Sequence, residues 1–241
     1  MKVHYDFSGH TVLVVGAASG IGRETALQCA ARGASVWAAD ISASGLQSLP
    51  STLRSAVVDI SNPTECDALV EHIVAADGRI DAAILTSAIQ HRMPIDVMPD
   101  AQWQRHLDVN LSGVFYTLRA LMPVMKRQRN GSVVAFTSGL ASNGWPGAAA
   151  YAASKAGIVG LVKCAALELR EYGVRVNALS PGLVATPVFL EAASDEELKG
   201  YERTVGVSSP DAVVPTLLHL IADGSRTISG TVVERRLVPA S

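Results

Sequence analysis

A chain of 241 residues that is 49% hydrophobic and only 17% charged has the length and the apolar content to bury the core of one α/β domain. Its formal net charge of −2, with no basic cluster, gives no electrostatic footprint for nucleic acid, and no uncharged apolar stretch of membrane-spanning length stands in it. Cys29, Cys66 and Cys164 are odd in number and lack the spacing of a metal site or a disulfide framework, which argues against a bound metal and for buried thiols in a reducing compartment.

The first ten residues hold Lys2, His4 and Asp6 without an apolar signal segment, so a soluble cytoplasmic protein is expected. Thr11 to Val15 is a β-branched apolar run that leads into Gly16-Ala-Ala-Ser-Gly20-Ile-Gly22 and then a helical pattern through Arg32. Strand, glycine turn and helix in this order suit a dinucleotide. Glycines let the backbone approach a pyrophosphate, and Ser19, Gly20, Ile21 and Gly22 open a helix whose N-terminus offers free N–H groups and a favourable dipole. The spacing is G-x-x-x-G-x-G rather than the commoner G-x-G-x-x-G, and taken alone it also describes a plain flexible turn. A second strand, Ala34 to Ala39, ends in Asp40, near the distance at which an acid binds the adenosine ribose. Asp40 would accept hydrogen bonds from the 2′- and 3′-hydroxyls and repel a 2′-phosphate, favouring NAD over NADP. An ordinary turn acid is the competing reading, and Arg32 or Arg54 are the cations that could change the cofactor choice.

Further strands are expected near Leu53, Asp81, Ser132, Val174 and Gly230, with helical stretches between them. That makes about seven parallel strands with helices on both faces, a Rossmann-type doubly wound sheet in a single domain spanning residues 1–241. The pattern from Asn110 to Arg129 is helical and contains Pro123, which should kink it or mark a boundary. Val133 to Phe136 reads as a buried strand that opens into a glycine-containing loop bearing Ser138. From Ala150 to Glu171, Ile158, Leu161, Val162, Ala165 and Leu169 keep a helical rhythm, so Tyr151 and Lys155, at i and i+4, share one face. An ammonium beside a phenol favours phenolate, and lowering tyrosine's ordinary pKa of about 10 is what a base at neutral pH requires. Without other evidence, such a pair is usually a half-buried ring beside a solvated charge.

On these residues the chain closely resembles the short-chain dehydrogenase/reductase family in its single-domain form, over nearly its whole length. The glycine stretch matches the family's cofactor motif, with Val15 where a threonine is common. Asp59, after the strand Ala56 to Val58, matches the acid that contacts the adenine ring, with Ile60 beside it. Asn110, in Leu107-Asp-Val-Asn-Leu-Ser-Gly113, matches the catalytic asparagine, and Ser138-x12-Tyr151-x3-Lys155 the active site. Ser180-Pro181-Gly182 matches the nicotinamide-side loop, which Val184 and Thr186 continue. Two stretches depart from the pattern. Thr86-Ser87-Ala88-Ile89 stands where Asn-Asn-Ala-Gly is typical, so Ser87 and Ala88 line the cofactor cleft next to a bulky Ile89; and Val232 to Ser241 lacks the acidic, glycine-paired ending that lies near subunit contacts in relatives.

The resemblance implies hydride transfer between NAD and a small-molecule secondary alcohol or ketone. Tyr151 would act as acid or base, Ser138 would orient the substrate oxygen, and Lys155 would lower the Tyr151 pKa and hydrogen-bond the nicotinamide ribose. Asn110 would hold a water connecting Lys155 to solvent; a helix-perturbing or capping amide is the plainer reading and can coexist with that role. A homo-oligomer, tetramer or dimer, is implied through the helices bearing Asn110 and Tyr151. Leu140, Asn143, Trp145, Leu183 and Phe189 are expected to border an at least partly apolar pocket, although Trp145 can also simply cover the fold. His91 and Arg92 read as a solvated loop pair rather than an anion site. Residues 186–207, helical around Glu191 to Arg203, are expected to form a lid with Gly200 and Gly206 as hinges. Two readings of another class stay open. An S-adenosylmethionine-dependent methyltransferase uses a similar turn and acid but gives no reason for Ser138, Tyr151 and Lys155 to align, and those same residues argue against a non-catalytic dinucleotide-binding module.

Overall fold

Seven runs rich in valine, alanine, leucine and isoleucine become seven parallel strands in the computed structural model, which describes residues 3–204 and 206–236. Lys2, position 205 in the expected lid and residues 237–241 of the atypical ending lie outside the described residues. The strands are β1 (Thr11–Val15), β2 (Ser35–Asp40), β3 (Arg54–Val57), β4 (Ala82–Leu85), β5 (Gly131–Phe136), β6 (Val174–Ser180) and β7 (Val232–Glu234), in the spatial order β3-β2-β1-β4-β5-β6-β7. Each begins within two residues of its expected start. β1, β4, β5 and β6 are buried throughout, as continuous apolar strands covered on both faces must be.

The helices are α1 (Gly20–Ala30), α2 (Ala43–Gln47), α3 (Pro63–Asp77), α4 (Asp100–Leu107), α5 (Gly113–Gln128), α6 (Leu140–Asn143), α7 (Ala149–Leu169), α8 (Pro187–Ala192), α9 (Asp195–Thr204) and α10 (Val214–Ile221). Alternation along the strands sorts the core into two layers. Leu13, Val15, Ala83, Leu85, Val133 and Ala135 pack with α3, α5 and α7. Val12, Val14, Ala82, Ile84, Val134 and Phe136 pack with α1 and α10. The strand order reverses between β1 and β4, so the loops after these strands diverge and leave a crevice at their carboxyl ends.

Four expectations need correction. Pro123 neither ends nor bounds its helix: its ring lies on the exposed side of α5, while Leu121, Val124 and Met125 bury the opposite side and carry the helix through. The boundary lies instead at Asp108–Ser112, a π-helical stretch that joins α4 to α5. Cys29 and Cys66 are buried but Cys164 is exposed, on the outer face of α7. The segment expected to form a lid holds two helices rather than one, because Ser194 starts α9 afresh with a capping box: the Glu197 amide donates to Ser194 Oγ at 3.2 Å and the Ser194 amide to Glu197 Oε2 at 2.8 Å. Gly200 consequently lies inside α9, where its carbonyl accepts from Thr204 Oγ1, and is no hinge; Gly206, with φ of 74°, follows the helix. α7 and the turn after it are long and apolar enough to cross a membrane by length and composition alone. Yet α7 carries Lys155, Lys163 and Glu168, and it packs on the sheet through Ile158, Val162 and Leu169.

Candidate active site

The crevice is a cleft of about 340 Å³. Its nucleotide side is made by backbone. Gly16 has φ of 86°, and a Cβ there would strike Thr86 Oγ1 and come within 2.7 Å of the Ser87 amide. A Cβ on Gly22 would strike the Gly16 carbonyl, so α1 sits directly on the turn that precedes it. Thr86 fastens the same corner by donating its hydroxyl to the Val15 carbonyl at 2.8 Å. Ser19, the extended residue before α1, makes no side-chain cap bond, and Gly20 approaches Thr186, whose Cγ2 lies 3.1 Å from where a Cβ would stand.

Asp40, at the end of β2, lines the cleft. Its Oδ2 accepts from the Ala18 amide at 3.0 Å and its Oδ1 from the Ser42 amide at 2.9 Å, which leaves lone pairs on both oxygens for further donors. The two arginines that could have reversed its preference are engaged elsewhere. Arg32 donates to the Gln28 carbonyl, and Arg54 pairs with Asp77 and lies over the Trp37 ring. Farther along, Asp59 accepts from the amide and hydroxyl of Ser61, with Arg105 at 3.8 Å. Burial pushes the Asp59 carboxyl up, but the two Ser61 bonds and Arg105 outweigh it and hold the group below its ordinary value. Ile60, Ser87, Ala88, Pro181, Gly182 and Val184 complete the wall. A cradle that side chains would fill, a helix N-terminus and a hydroxyl-binding acid together fit a dinucleotide.

Ser138, Tyr151 and Lys155 meet where β5 ends against α7. Thr137 Oγ1 donates to the Lys155 carbonyl at 2.8 Å, and Lys155 Nζ donates to the Phe136 carbonyl at 2.8 Å, so strand end and helix clamp each other. Ser138 Oγ accepts from the Leu140 amide at 3.2 Å, and Lys155 Nζ lies 5.8 Å from the Tyr151 ring centre. The titration behaviour differs from the expectation. Burial pushes Tyr151 up to about 12, with Ser138 pulling the other way, and burial pushes Lys155 down to about 7. Lys155 is 2% exposed and spends its hydrogen bond on a carbonyl, so desolvation outweighs whatever field it exerts on the phenol.

Asn110 lies in the π-helical stretch, fully buried and outside the cleft lining. Its Oδ1 accepts from the Ile89 amide at 2.8 Å, and its Nδ2 donates to the Ile89 carbonyl at 2.9 Å and to Ser154 Oγ at 3.1 Å. Both amide hydrogens and one lone pair of Oδ1 are thus used in holding the loop after β4 and Ser154, which leaves one lone pair of Oδ1 as the side chain's remaining hydrogen-bonding site. The same bonds fix Ile89, whose bulk is accommodated within the wall instead of displacing the loop.

Of the residues expected on the substrate side, Leu140, Trp145, Leu183 and Phe189 line the cleft, whereas Asn143 ends α6 and is exposed outside it. Arg92 is not a solvated loop residue. It lines the cleft and pairs through Nη1 with both carboxylate oxygens of Glu197 at 2.7 and 2.8 Å. His91 is exposed, its amide donating to Nε2 of the buried His106 at 3.1 Å. Tyr201, on α9, was not anticipated; it lines the cleft, with its ring centre 6.2 Å from Trp145 and 6.1 Å from Phe189. The available signal was the motif Ser194-Asp-Glu-Glu197, which starts α9 and so brings Glu197 and Tyr201, at i and i+4, onto one face. Among the described residues no group of three His, Cys, Asp or Glu side chains could hold a metal ion.

Residues 10–197 match the family model described as short chain dehydrogenase. The 3-oxoacyl-(acyl-carrier-protein) reductase of Thermotoga maritima is 35% identical over 240 residues, covering 93% of this chain and 95% of that protein. The crystal structure of levodione reductase superposes with a TM-score of 0.90 at 28% identity, covering 95% of this chain and 97% of the other. That of NAD+-bound xylitol dehydrogenase does so with a TM-score of 0.89 at 25% identity, covering 96% and 99%.

Proposed function

The chain belongs to the short-chain dehydrogenase/reductase family of nicotinamide-dependent oxidoreductases, and we propose that it transfers hydride between NAD and a secondary alcohol or ketone, with Tyr151 exchanging the proton. The observation that carries this reading is the convergence of Ser138, Tyr151 and Lys155 at the end of β5, inside the cleft whose other wall is the glycine turn. The cofactor, bound along that turn, supplies or accepts the hydride. NAD is preferred over NADP because Asp40 offers acceptors to ribose hydroxyls and a like charge to a 2′-phosphate, while Arg32 and Arg54 are committed elsewhere. The xylitol dehydrogenase solved with NAD+ lends support.

In carbonyl reduction the Ser138 hydroxyl orients the substrate oxygen and Tyr151 gives it a proton. With its pKa pushed up to about 12, Tyr151 is already protonated at neutral pH, so this direction needs no prior ionisation. Alcohol oxidation needs the phenolate and therefore speeds up as pH rises. Lys155 sits beside the ring as the group through which the proton is replaced, and Asn110 keeps the loop after β4 in register by holding both backbone groups of Ile89. Leu140, Leu183, Phe189, Trp145 and Tyr201 suit a partly apolar substrate. Assembly into a homo-oligomer would use α5 and α7, which leave Phe115 and Leu167 exposed.

The test is NADH oxidation with a panel of ketones, and NAD reduction with the matching alcohols, using the wild type and Tyr151→Phe. Loss of an acid/base group predicts a fall of about 10²- to 10⁴-fold in kcat/KM with NADH affinity retained. A Tyr151→Phe enzyme of full activity would overturn the mechanism, and NADPH outperforming NADH in the wild type would overturn the cofactor assignment.

A further inference from the structure

Arg92 would make the substrate end of the cleft an anion trap if it stood alone. Its side chain is only 19% exposed, and a guanidinium withdrawn from water attracts a carboxylate by several-fold more than the same pair in bulk solvent. It does not stand alone. Glu197 on α9 takes Nη1 on both carboxylate oxygens, and the same carboxylate accepts from Trp145 Nε1 at 3.0 Å and from the Ser194 amide at 2.8 Å. Ser194, and after it Arg92 and Trp145, hold the Glu197 carboxyl below its ordinary value against the opposing effect of burial. Trp145, itself 43% exposed, donates to Glu197 from one side, and Tyr201, its ring centre 6.2 Å from that of Trp145, stands beside it in the cleft wall. The other charged residues lining the cleft are committed: Asp59 and Arg105 face each other, Asp40 receives two backbone amides, and Lys155 donates to Phe136.

We propose that Glu197 sets the charge selectivity of the enzyme: by neutralising Arg92 within the cleft it leaves an aromatic-walled chamber without an unpaired guanidinium, which accepts neutral ketones and secondary alcohols and rejects their carboxylate analogues. The inference rests on the hydride-transfer reading of the same site. A carboxylate substrate would have to take Arg92 from Glu197, and the displaced Glu197 would then face a second negative charge at close range. A neutral substrate requires neither change.

The charge of the chamber can be read without knowing the substrate. Quenching of Trp145 fluorescence by iodide and by acrylamide, each taken as the difference from the Trp145→Phe counterpart, reports anion access and neutral access separately. Glu197→Gln removes the charge and keeps one acceptor oxygen, enough for Trp145 on Oε1 or the Ser194 amide on Oε2 but not for both. It should raise iodide quenching by about twofold or more while acrylamide quenching stays level, and Arg92→Gln/Glu197→Gln should return iodide quenching to the wild-type value. Unchanged iodide quenching in Glu197→Gln, or iodide and acrylamide rising together as α9 loosens, would overturn the proposal. In turnover with NADH, the wild type should favour methyl 4-oxopentanoate over 4-oxopentanoate by about tenfold or more in kcat/KM, and Glu197→Gln should shrink that ratio by about tenfold. A wild type that prefers the free acid, or a ratio indifferent to Glu197, would also overturn it. If no ketone in any panel oxidises NADH, the hydride-transfer reading fails, and the quenching result still decides the role of Glu197.

Discussion

On the nucleotide side of the cleft, Gly16 and Gly22 lie against neighbouring groups that leave no room for a Cβ and Gly20 leaves only a tight fit for one, whereas on the substrate side Arg92, Trp145, Glu197 and Tyr201 reach from three separate segments to meet one another. The first arrangement is steric and local, fixed within a few residues of chain. The second is electrostatic and non-local, since Arg92 and Glu197 are 105 residues apart. Steric sites fail by collision when changed, while sites built from buried charges fail or recover with protonation. That contrast can be tested on each side.

The largest effect is expected where charge is buried deepest. Lys155, at 2% exposure, has its pKa pushed down to about 7 by burial, against 10.5 for an unhindered lysine. Below pH 7 the folded and unfolded chains both hold the proton, and the full cost of burying the charge is present. Between pH 7 and 10.5 the unfolded chain keeps a proton that the folded chain has lost, so stability rises with pH, by on the order of 5 kcal/mol if the whole shift is expressed. Tyr151, pushed up to about 12, acts in the opposite direction and removes stability between pH 10 and 12. Lys155→Met should therefore be the more stable protein at pH 7, with its advantage shrinking toward pH 10. Urea unfolding at several pH values and fixed protein concentration measures this, and a gap that does not change with pH would break the comparison on the substrate side.

A smaller effect is expected from the glycines. Gly22→Ala drives a Cβ onto the Gly16 carbonyl, with Thr86 Oγ1 at 2.6 Å, and should cost about 1–3 kcal/mol of stability together with NADH affinity. Gly200→Ala, in α9, meets nothing within 4 Å and should gain about 0.5–1 kcal/mol, because alanine loses less backbone entropy in a helix. Thermal melts of the two variants should move in opposite directions. A downward shift for Gly200→Ala would mean that α9, too, is held by close backbone packing.

The same contrast accounts for what could be read from the sequence. The sheet was legible because buried parallel strands are nearly continuous apolar runs, and the crevice was legible because Gly16 to Gly22 and Asp40 are read by spacing alone. Tyr151 and Lys155 fell on one helix face because i and i+4 geometry is local. Their pKa values were not legible: burial depends on how β5 and α7 close over them, and it outweighed the charge effect inferred from spacing. Asn110 was placed on its helix, but its bond joins that helix to the loop at Ile89, 21 residues away, and no local pattern encodes such a contact. Pro123 misled because proline breaks helices only where packing does not compensate, and its exposed ring is flanked by buried Leu121 and Val124.

Asp40 tests whether the nucleotide side is steric throughout or holds one electrostatic element. Its carboxylate fastens Ala18 of the glycine turn and Ser42 at the start of α2, so it has a structural duty as well as a negative charge. Asp40→Asn removes the charge and one of the two acceptor oxygens, while Asp40→Ala removes the charge and both acceptors. If repulsion of a 2′-phosphate is what favours NAD, both variants should lower the NADH-to-NADPH preference by about tenfold, near 1.4 kcal/mol, and Asp40→Ala, which frees two amides, should lose more stability than Asp40→Asn, which frees one. Cofactor titrations and thermal melts of the two variants separate these contributions. A preference that moves in Asp40→Ala but not in Asp40→Asn would show that Asp40 selects NAD through the shape of the turn it fastens, leaving the nucleotide side steric at every position.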